Sequence, residues 1–394
     1  MRIICLLTFV CLFQLPNLSA QDFNLVDSIQ IDLGSFQERE SFSTLYWRQF
    51  QDKIYLYESF DSIIVVNDLE GNKEGTIMLE SVHISNKFTP WRVEFEKDRI
   101  IVVDVIRMNL RVYDLNGSFL QEIDLYKFFD QYTPSLEGHF EIDFENELIY
   151  TVLVPNKQSK YFFKLPRKPG KFYQESSLLG VYNFEGKRLE SFANYDPLYS
   201  QGDLPYKADY SFIRLGDELI LEQDLAHQVT VFKMNNLMSS QYHFKGDSIT
   251  QKLDALPRVT EVLTEESYHG MLIESYGYGA FLSFNSSQLV GRVYYKSAED
   301  TTTSVAAENT KKRVKPVKGS CLTPSDQKLN QKDILADKVM YIRMVDWNTK
   351  KVVYDGRFTL KGDFFFTGAS IPENQVWTKG YKDGVLTIYK YELN

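Results

Sequence analysis

The chain has 394 residues, 43% hydrophobic and 14% aromatic, with 44 basic against 53 acidic side chains and a net charge of −9. That acidic balance repels phosphate backbones and anionic headgroups, which excludes nucleic acid and membrane surfaces as general partners. Only three cysteines are present, too few for a disulfide framework, so a large ordinary apolar core must hold the fold.

The first twenty residues carry one charge, Arg2, then an apolar run from Ile3 to Phe13, a break at Pro16 and Leu-Ser-Ala before Gln21. This is the pattern of a secretory signal peptide cut after Ala20, and the run is about half of the roughly 20 residues that span a bilayer. Cys11 follows Phe9 and Val10, not the small residue that a lipoprotein acceptor cysteine needs. The expectation is a soluble exported protein, periplasmic or extracellular, favoured over a lipid-anchored one, with no membrane insertion once the leader is cut. Removing Arg2 with the leader leaves 43 basic residues against 53 acidic, a charge of −10. Cys321 is then the one remaining cysteine, which rules out an internal disulfide and cysteine-type zinc clusters.

Beyond the leader, apolar and polar residues alternate at period two almost throughout, which predicts strands. "LVDSIQIDL" (Leu25–Leu33) reads as a strand with no partner nearby in sequence. Next comes "VVNDLEGNKEGTIML" (Val65–Leu79), whose phrase returns as "VYDLNGSFLQEIDL" (Val112–Leu125) and "VYNFEGKRLESF" (Val181–Phe192). In each, Asp68, Asp114 or Asn183 opens a tight turn, and Gly71, Gly117 or Gly186 supplies the positive φ that closes it into a hairpin. Looser versions are "MNNL" (Met234–Leu237) and "DWNT" (Asp346–Thr349).

Equivalent turn positions, Gly71, Gly117, Gly186, Asn236 and Thr349, stand 46, 69, 50 and 113 residues apart. A unit of 40 to 50 residues with four short strands is a β-propeller blade. The two long gaps hold insertions, residues 155–177 and 297–337, the second ending in a short helix-like stretch, Gln327–Asp337. Six blades are expected, with cores at Ser43–Glu80, Trp91–Leu125, His139–Phe192, Asp209–Phe244, Leu272–Leu360 and Phe364–Asn394. The last has three strands of its own, and Leu25–Leu33 is the fourth. The predicted fold is thus all-β: one six-bladed β-propeller over residues 21–394, its last blade closed by the N-terminal strand.

Aromatic-rich strands, Asp-Leu-x-Gly hairpins, six units and a leader together resemble the TolB-like six-bladed propellers exported by Gram-negative bacteria. "YGAFLSFNSSQLVGRVYYKSA" (Tyr278–Ala298) and "KVMYIRMVDWNTKKVVYDGRF" (Lys338–Phe358) are similar to the fifth blade of one subgroup. Where that subgroup carries Tyr-Tyr-Arg, this chain has Tyr294, Tyr295 and Lys296, which weakens any role that needs arginine. The resemblance implies the fold and export; it carries over no catalytic residues.

The five histidines, 83, 139, 227, 243 and 269, show no metal-binding spacing, and H-E-x-x-H, G-x-S-x-G and G-x-x-x-x-G-K are absent. No catalytic residue, metal ligand or cofactor is assigned. The carboxylates of Glu94–Asp98 and Asp143–Glu147 read as solvated hairpin tips. Innermost strands should begin on the face that carries second-to-third-strand loops, and both insertions fall in such loops. Candidate binding residues are therefore the strand starts Trp91, Arg92, His139, Asp209, Tyr210, Glu274 and Tyr276, with Lys311, Lys312 and Arg313 of the second insertion. Lys157, Lys160, Lys164, Arg167, Lys168 and Lys171 make the first insertion basic too. The expected function is non-catalytic binding of a protein, peptide or anionic glycan on that face. The alternative is a divalent-cation-dependent hydrolase or lyase of the lactonase-like kind, with Asp209 and Glu274 at the channel mouth.

Overall fold

The first strand, β1 (Phe23–Asp32), pairs with nothing near it in sequence; its partner comes last in the chain. The computed structural model describes residues 23–32, 45–58, 63–80, 92–104, 108–125, 127, 132–155, 173–201, 210–224, 226–245, 277–284, 288–297, 338–357, 361, 363–366, 375–382 and 385–393.

Six four-stranded antiparallel sheets follow in chain order. Blade I is β2 (Leu45–Phe50), β3 (Lys53–Glu58), β4 (Ile63–Asn67) and β5 (Lys73–Met78). Blade II is β6 (Arg92–Glu96), β7 (Arg99–Asp104), β8 (Asn109–Asp114) and β9 (Phe119–Asp124). Blade III is β10 (Tyr132–Asp143), β11 (Leu148–Pro155), β12 (Ser177–Asn183) and β13 (Arg188–Asn194), and the short helix α1 (Pro197–Gln201) leads out of it. Blade IV is β14 (Tyr210–Leu215), β15 (Glu218–Gln223), β16 (Gln228–Lys233) and β17 (Ser239–His243). Blade V is β18 (Gly277–Phe284), β19 (Leu289–Ser297), β20 (Lys338–Asp346) and β21 (Lys351–Arg357). Blade VI is β22 (Asp363–Phe366), β23 (Gln375–Lys382) and β24 (Val385–Leu393), completed by β1, which pairs with β24 from Phe23↔Leu393 to Asp32↔Val385.

The sheets stand in a ring, a six-bladed β-propeller. First strands of neighbouring blades pack together, β2 beside β6, β10 beside β14 and β14 beside β18, so the first strand of a blade is its innermost. Each sheet buries both faces against its neighbours, which is why middle strands read as nearly unbroken apolar runs, as in "RIIVVD" of β7. Tyr55, Ile64 and Val66 of blade I meet Val93, Ile100 and Val102 of blade II, and comparable apolar clusters join blades II to III, III to IV and IV to V. At the closure, Ile29 and Ile31 of β1 pack with Trp377, Leu386 and Ile388 of blade VI against Ile54 and Leu56 of blade I.

The repeated phrase has two physical causes. Asp68 Oδ1 accepts hydrogen bonds from the backbone N–H of Glu70 (3.0 Å) and Asn72 (2.7 Å), and Asp114 Oδ1 accepts from Asn116 (2.9 Å) and Ser118 (2.8 Å). Asn183 does the same toward Lys187 at 2.9 Å. Hydrogen bonding, chiefly from the Asn72 side chain for Asp68 and the Ser118 N–H for Asp114, holds both carboxyls below their ordinary range. Gly71, Gly117 and Gly186 sit at φ of +93°, +90° and +84°, a region closed to most side chains. Each glycine also lies against the backbone of the preceding blade's outer strand: Gly71 against Gln30 of β1, Gly117 against Met78, Gly186 against Asp124. The phrase is thus both a turn and a joint between blades.

Blades IV and V lack that glycine, and their turns are one residue longer than the sequence spacing suggests. The positive φ falls on Leu237 (+52°) and Lys350 (+56°), not on Asn236 or Thr349. At the blade V turn the Lys350 ammonium lies 3.2 Å from the Trp347 ring centroid, and Trp347 Nε1 donates to Glu218 of blade IV at 2.8 Å. A cation–π contact and a hydrogen bond thus make the joint between blades there.

Candidate functional site

Within a blade, the second-to-third connection lies at the end of the sheet where the first strand starts, as the pairings Tyr132↔Pro155 and Tyr210↔Gln223 show for blades III and IV. The first long connection leaves β11 at Pro155 and the described chain resumes at Tyr173; the second leaves β19 at Ser297 and resumes at Lys338. Blade IV stands between these two blades, and its own connection from β15 to β16 is only Asp224–His227.

Three consecutive residues at this end of β15 and just beyond it tie blade IV to its surroundings. The Glu222 carboxylate accepts from Ser211 Oγ (3.0 Å) and from Arg292 Nε of blade V (2.9 Å). Arg292 is wholly buried and donates further to the carbonyls of Gln223 (2.9 Å) and Phe244 (3.3 Å). Gln223 Oε1 accepts from Asp196 N–H at 3.0 Å, and Gln223 Nε2 donates to Asn194 O at 3.3 Å, both on the chain leaving blade III. Asp224 Oδ1 accepts from the Tyr199 hydroxyl of α1 at 2.7 Å. A buried ion pair with its remaining donors satisfied fixes geometry more than it adds stability.

Beside this hub is an aromatic cluster. Tyr173, where the first long connection ends, packs edge-on to Tyr195 (centroids 4.9 Å apart) and near Tyr199 (5.6 Å); Tyr195 in turn meets Tyr210 at 5.9 Å. Tyr173, Tyr195 and Tyr199 are buried. Burial, with the Asp224 charge adding to it, pushes the Tyr173 hydroxyl above the usual phenol range, so it stays protonated. On the solvent side the rings of His227 and His243 stand 6.3 Å apart, with Lys245 following close in sequence. Burial first, then the charges of Lys245, Arg292 and His243, pushes His227 down to about 4.

Of the expected strand-start residues, two fall where the reading put them. Arg92 opens β6, paired with Val103, and Tyr210 opens β14. The Tyr210 hydroxyl donates to Leu153 O of blade III at 2.5 Å, so this tyrosine joins two blades. His139 does not open its strand: β10 begins seven residues earlier at Tyr132, and His139 lies in an irregularity of the pairing between Ser135 and Phe140. Pro134 and Gly138 read as loop residues, whereas the structure keeps them in an extended strand and absorbs them with the bulge. Trp91, Asp209, Glu274, Tyr276, Lys311, Lys312 and Arg313 lie outside the described residues, as does the helix-like stretch Gln327–Asp337.

The opposite ends of the inner strands hold charges that the sequence reading took as solvated. Asp98 and Glu145 are indeed largely exposed. Glu94, however, is half-buried and takes both Nε (2.8 Å) and an Nη (2.7 Å) of Arg48 from blade I, and burial, reinforced by Glu141, pushes Glu96 up to about 7. Among the described residues no three His, Cys, Asp or Glu side chains gather closely enough to hold a metal ion. No helix among them is long and apolar enough to cross a membrane.

No protein-family model matches the chain, and no curated protein matches it. Among solved structures it is similar to a member of the DUF4221 family from Bacteroides vulgatus, at 12% identity and a TM-score of 0.58, covering 95% of this chain and 99% of that one. A second similar structure is a "Putative exported protein" from Bacteroides fragilis, at 11% identity and a TM-score of 0.49, covering 94% and 95%. Over 95% of its length, then, the chain shares its fold with that Bacteroides vulgatus protein.

Proposed function

We propose that this protein is an exported, non-catalytic propeller that binds an anionic partner on the face where blades III and V carry their long connections. The observation that supports the reading is that the connections leaving β11 and β19, whose sequences carry the basic clusters Lys157–Lys171 and Lys311–Lys318, depart from the same end of the two blades that flank blade IV and its polar hub. A rigid scaffold bearing variable loops is the usual way a fold presents a binding surface. Export rests on the leader, and the TolB-like assignment rests on the same hairpins that join the blades. The cation-dependent enzyme reading would need Asp209 and Glu274, which lie outside the described residues.

The mature chain is expected to bind an immobilised polyanion such as dextran sulfate at low salt in spite of its −10 charge, and to elute as salt shortens the Debye length toward about 8 Å. Replacing Lys311, Lys312 and Arg313 by Ser should lower the eluting salt concentration and leave the urea midpoint unchanged. Absence of any polyanion binding at low salt would overturn the reading.

A further inference from the structure

The outermost strand of a blade is a sheet edge, a row of backbone donors and acceptors ready to pair with another chain. Five of the six outer strands carry two devices against such pairing. Each holds one residue more than the strand it pairs with, a bulge at Val26, Glu74, Leu120, Leu189 or Val353, which twists the edge and breaks its regular row. Each also carries charge along the edge: Asp27 on β1, Lys73 and Glu74 on β5, Glu122 on β9, Arg188 and Glu190 on β13, Lys351 and Asp355 on β21.

The outer strand of blade IV has neither. β17, "SSQYH" (Ser239–His243), pairs with β16 without a break from Phe232↔Ser239 to Gln228↔His243, and it holds no Lys, Arg, Asp, Glu, Gly or Pro. All of its side chains but that of Tyr242 are exposed, and among the described residues no strand pairs with its outer side. At its two ends the Met238 carbonyl accepts from Lys233 N–H (3.0 Å) and Phe244 N–H donates to the His227 carbonyl (2.8 Å), so the even-numbered residues turn their backbone groups toward β16. Ser239, Gln241 and His243 therefore present N–H and C=O outward.

We propose that β17 is a docking edge, to which an uncharged extended segment of a partner protein adds as a fifth strand of blade IV. A segment suits the edge better than a second copy of the chain. The 5 residues of β17 extend about 17 Å, and one strand pair of that length falls far short of the ~1,200 Å² that a stable contact between whole proteins buries. Two acidic bodies also repel one another. On the side toward blade V the added strand would lie beside Ser240 and Tyr242, whose ring meets that of Trp347 at 5.2 Å, so an apolar side chain there has an aromatic surface to rest on. On the other side it would lie beside Ser239, Gln241 and His243, which suits Ser or Thr. Main-chain bonds hold such a segment and alternate side chains select it. Nothing in this depends on the basic connections.

The test is isothermal titration calorimetry of the mature chain with the acetylated and amidated heptapeptide Thr-Val-Ser-Tyr-Ser-Val-Thr, and with its counterpart methylated on every peptide nitrogen, which keeps the side chains and removes the backbone donors. The plain peptide should bind, and the methylated one should bind at least about tenfold more weakly. Gln241→Pro removes the central outward N–H and leaves the bonds to β16; it should weaken the plain peptide by about tenfold while the circular dichroism spectrum stays that of the native chain. No binding of the plain peptide at about 1 mM, equal binding of the two peptides, or unaltered binding by folded Gln241→Pro would each overturn the edge. Dimerisation of the mature chain in sedimentation velocity, abolished by Gln241→Pro, would overturn the partner assignment in favour of a second copy. Because the peptide is uncharged, each of these results is read apart from polyanion binding.

Discussion

Replacing Gly71 by Ala tests whether the repeated hairpin is a joint between blades as well as a turn. The perturbation has two parts. At φ +93° a Cβ is strained, which costs on the order of 1–3 kcal/mol. That Cβ would also lie 2.5 Å from the Gln30 carbonyl oxygen and 3.0 Å from Ile29 Cγ2, so the closing strand β1 must give way, at a cost of about 1–3 kcal/mol by analogy with overpacked cores. Two other glycines separate the parts. Gly216 has φ +62° with nothing within 4 Å of its would-be Cβ, so Gly216→Ala carries strain alone; Gly75 has open space and ordinary backbone, so Gly75→Ala should change little. The expected order of destabilisation is Gly71 well above Gly216, and Gly216 above Gly75, with Gly71→Ala costing roughly 2–6 kcal/mol of the 5–15 that holds a typical domain. Urea unfolding followed by tryptophan fluorescence is the assay, because Trp377 is buried against Ile29 and Ile31 and reports on the closure. Equal losses in Gly71→Ala and Gly216→Ala would refute the joint and reduce the phrase to turn chemistry.

Three further outcomes are expected. Arg292→Met leaves Glu222 buried beside a lost cation and should cost about 3–5 kcal/mol, with much of it recovered when Glu222 is replaced by Gln in the same chain; differential scanning calorimetry on both variants decides this. Deleting Phe23–Asp32 opens the edge of β24 and strips Ile29 and Ile31 from the core, so the transition should collapse to a low-temperature, non-cooperative melt; a melt like that of the intact mature chain would end the closure argument. Glu96 has its folded-state value raised from 4.5 to about 7, so its contribution is fully present below about 4.5 and is lost as pH rises toward and through 7. Glu96→Gln should therefore flatten stability between pH 4.5 and 7.5 relative to the native chain, whereas the lowered carboxyls of Asp68, Asp114 and Asp143 act at more acid pH and remain in both.

Period, turn chemistry and strand alternation were readable because they are local: Asp68 and Gly71 stand three residues apart and make their turn among themselves. The unpartnered alternation of Leu25–Leu33 was readable as the missing fourth strand because an exposed sheet edge needs a partner, and β1 supplies it, beginning two residues and ending one residue earlier than expected. What escaped is what neighbouring blades do to each other. Glu94 and Asp98 belong to one hairpin, yet the first is half-buried and paired with Arg48 of the preceding blade while the second stays largely in water. The hub of Glu222, Gln223 and Asp224 is three polar letters at the end of a strand, indistinguishable in sequence from a solvated loop start until Arg292, Asn194 and Tyr199 arrive from elsewhere. His139 was misplaced for a related reason: Pro134 and Gly138 carry loop propensity, and only pairing with β11 overrides it.

The pairing of Phe23 with Leu393 has a consequence for how the ring can be cut. Register partners in an antiparallel pair lie about 5 Å apart, so a linker of a few residues could join the two ends without moving either strand. The chain would then be a closed loop, and a new opening could be made between Ser297 and Lys338, where a long connection already separates β19 from β20. Such a circular permutant keeps every strand pair and every glycine joint while moving the nick from blade VI to blade V. In it β1 and β24 would be made one after the other, whereas in the natural order the strand synthesised first must wait for the strand synthesised last.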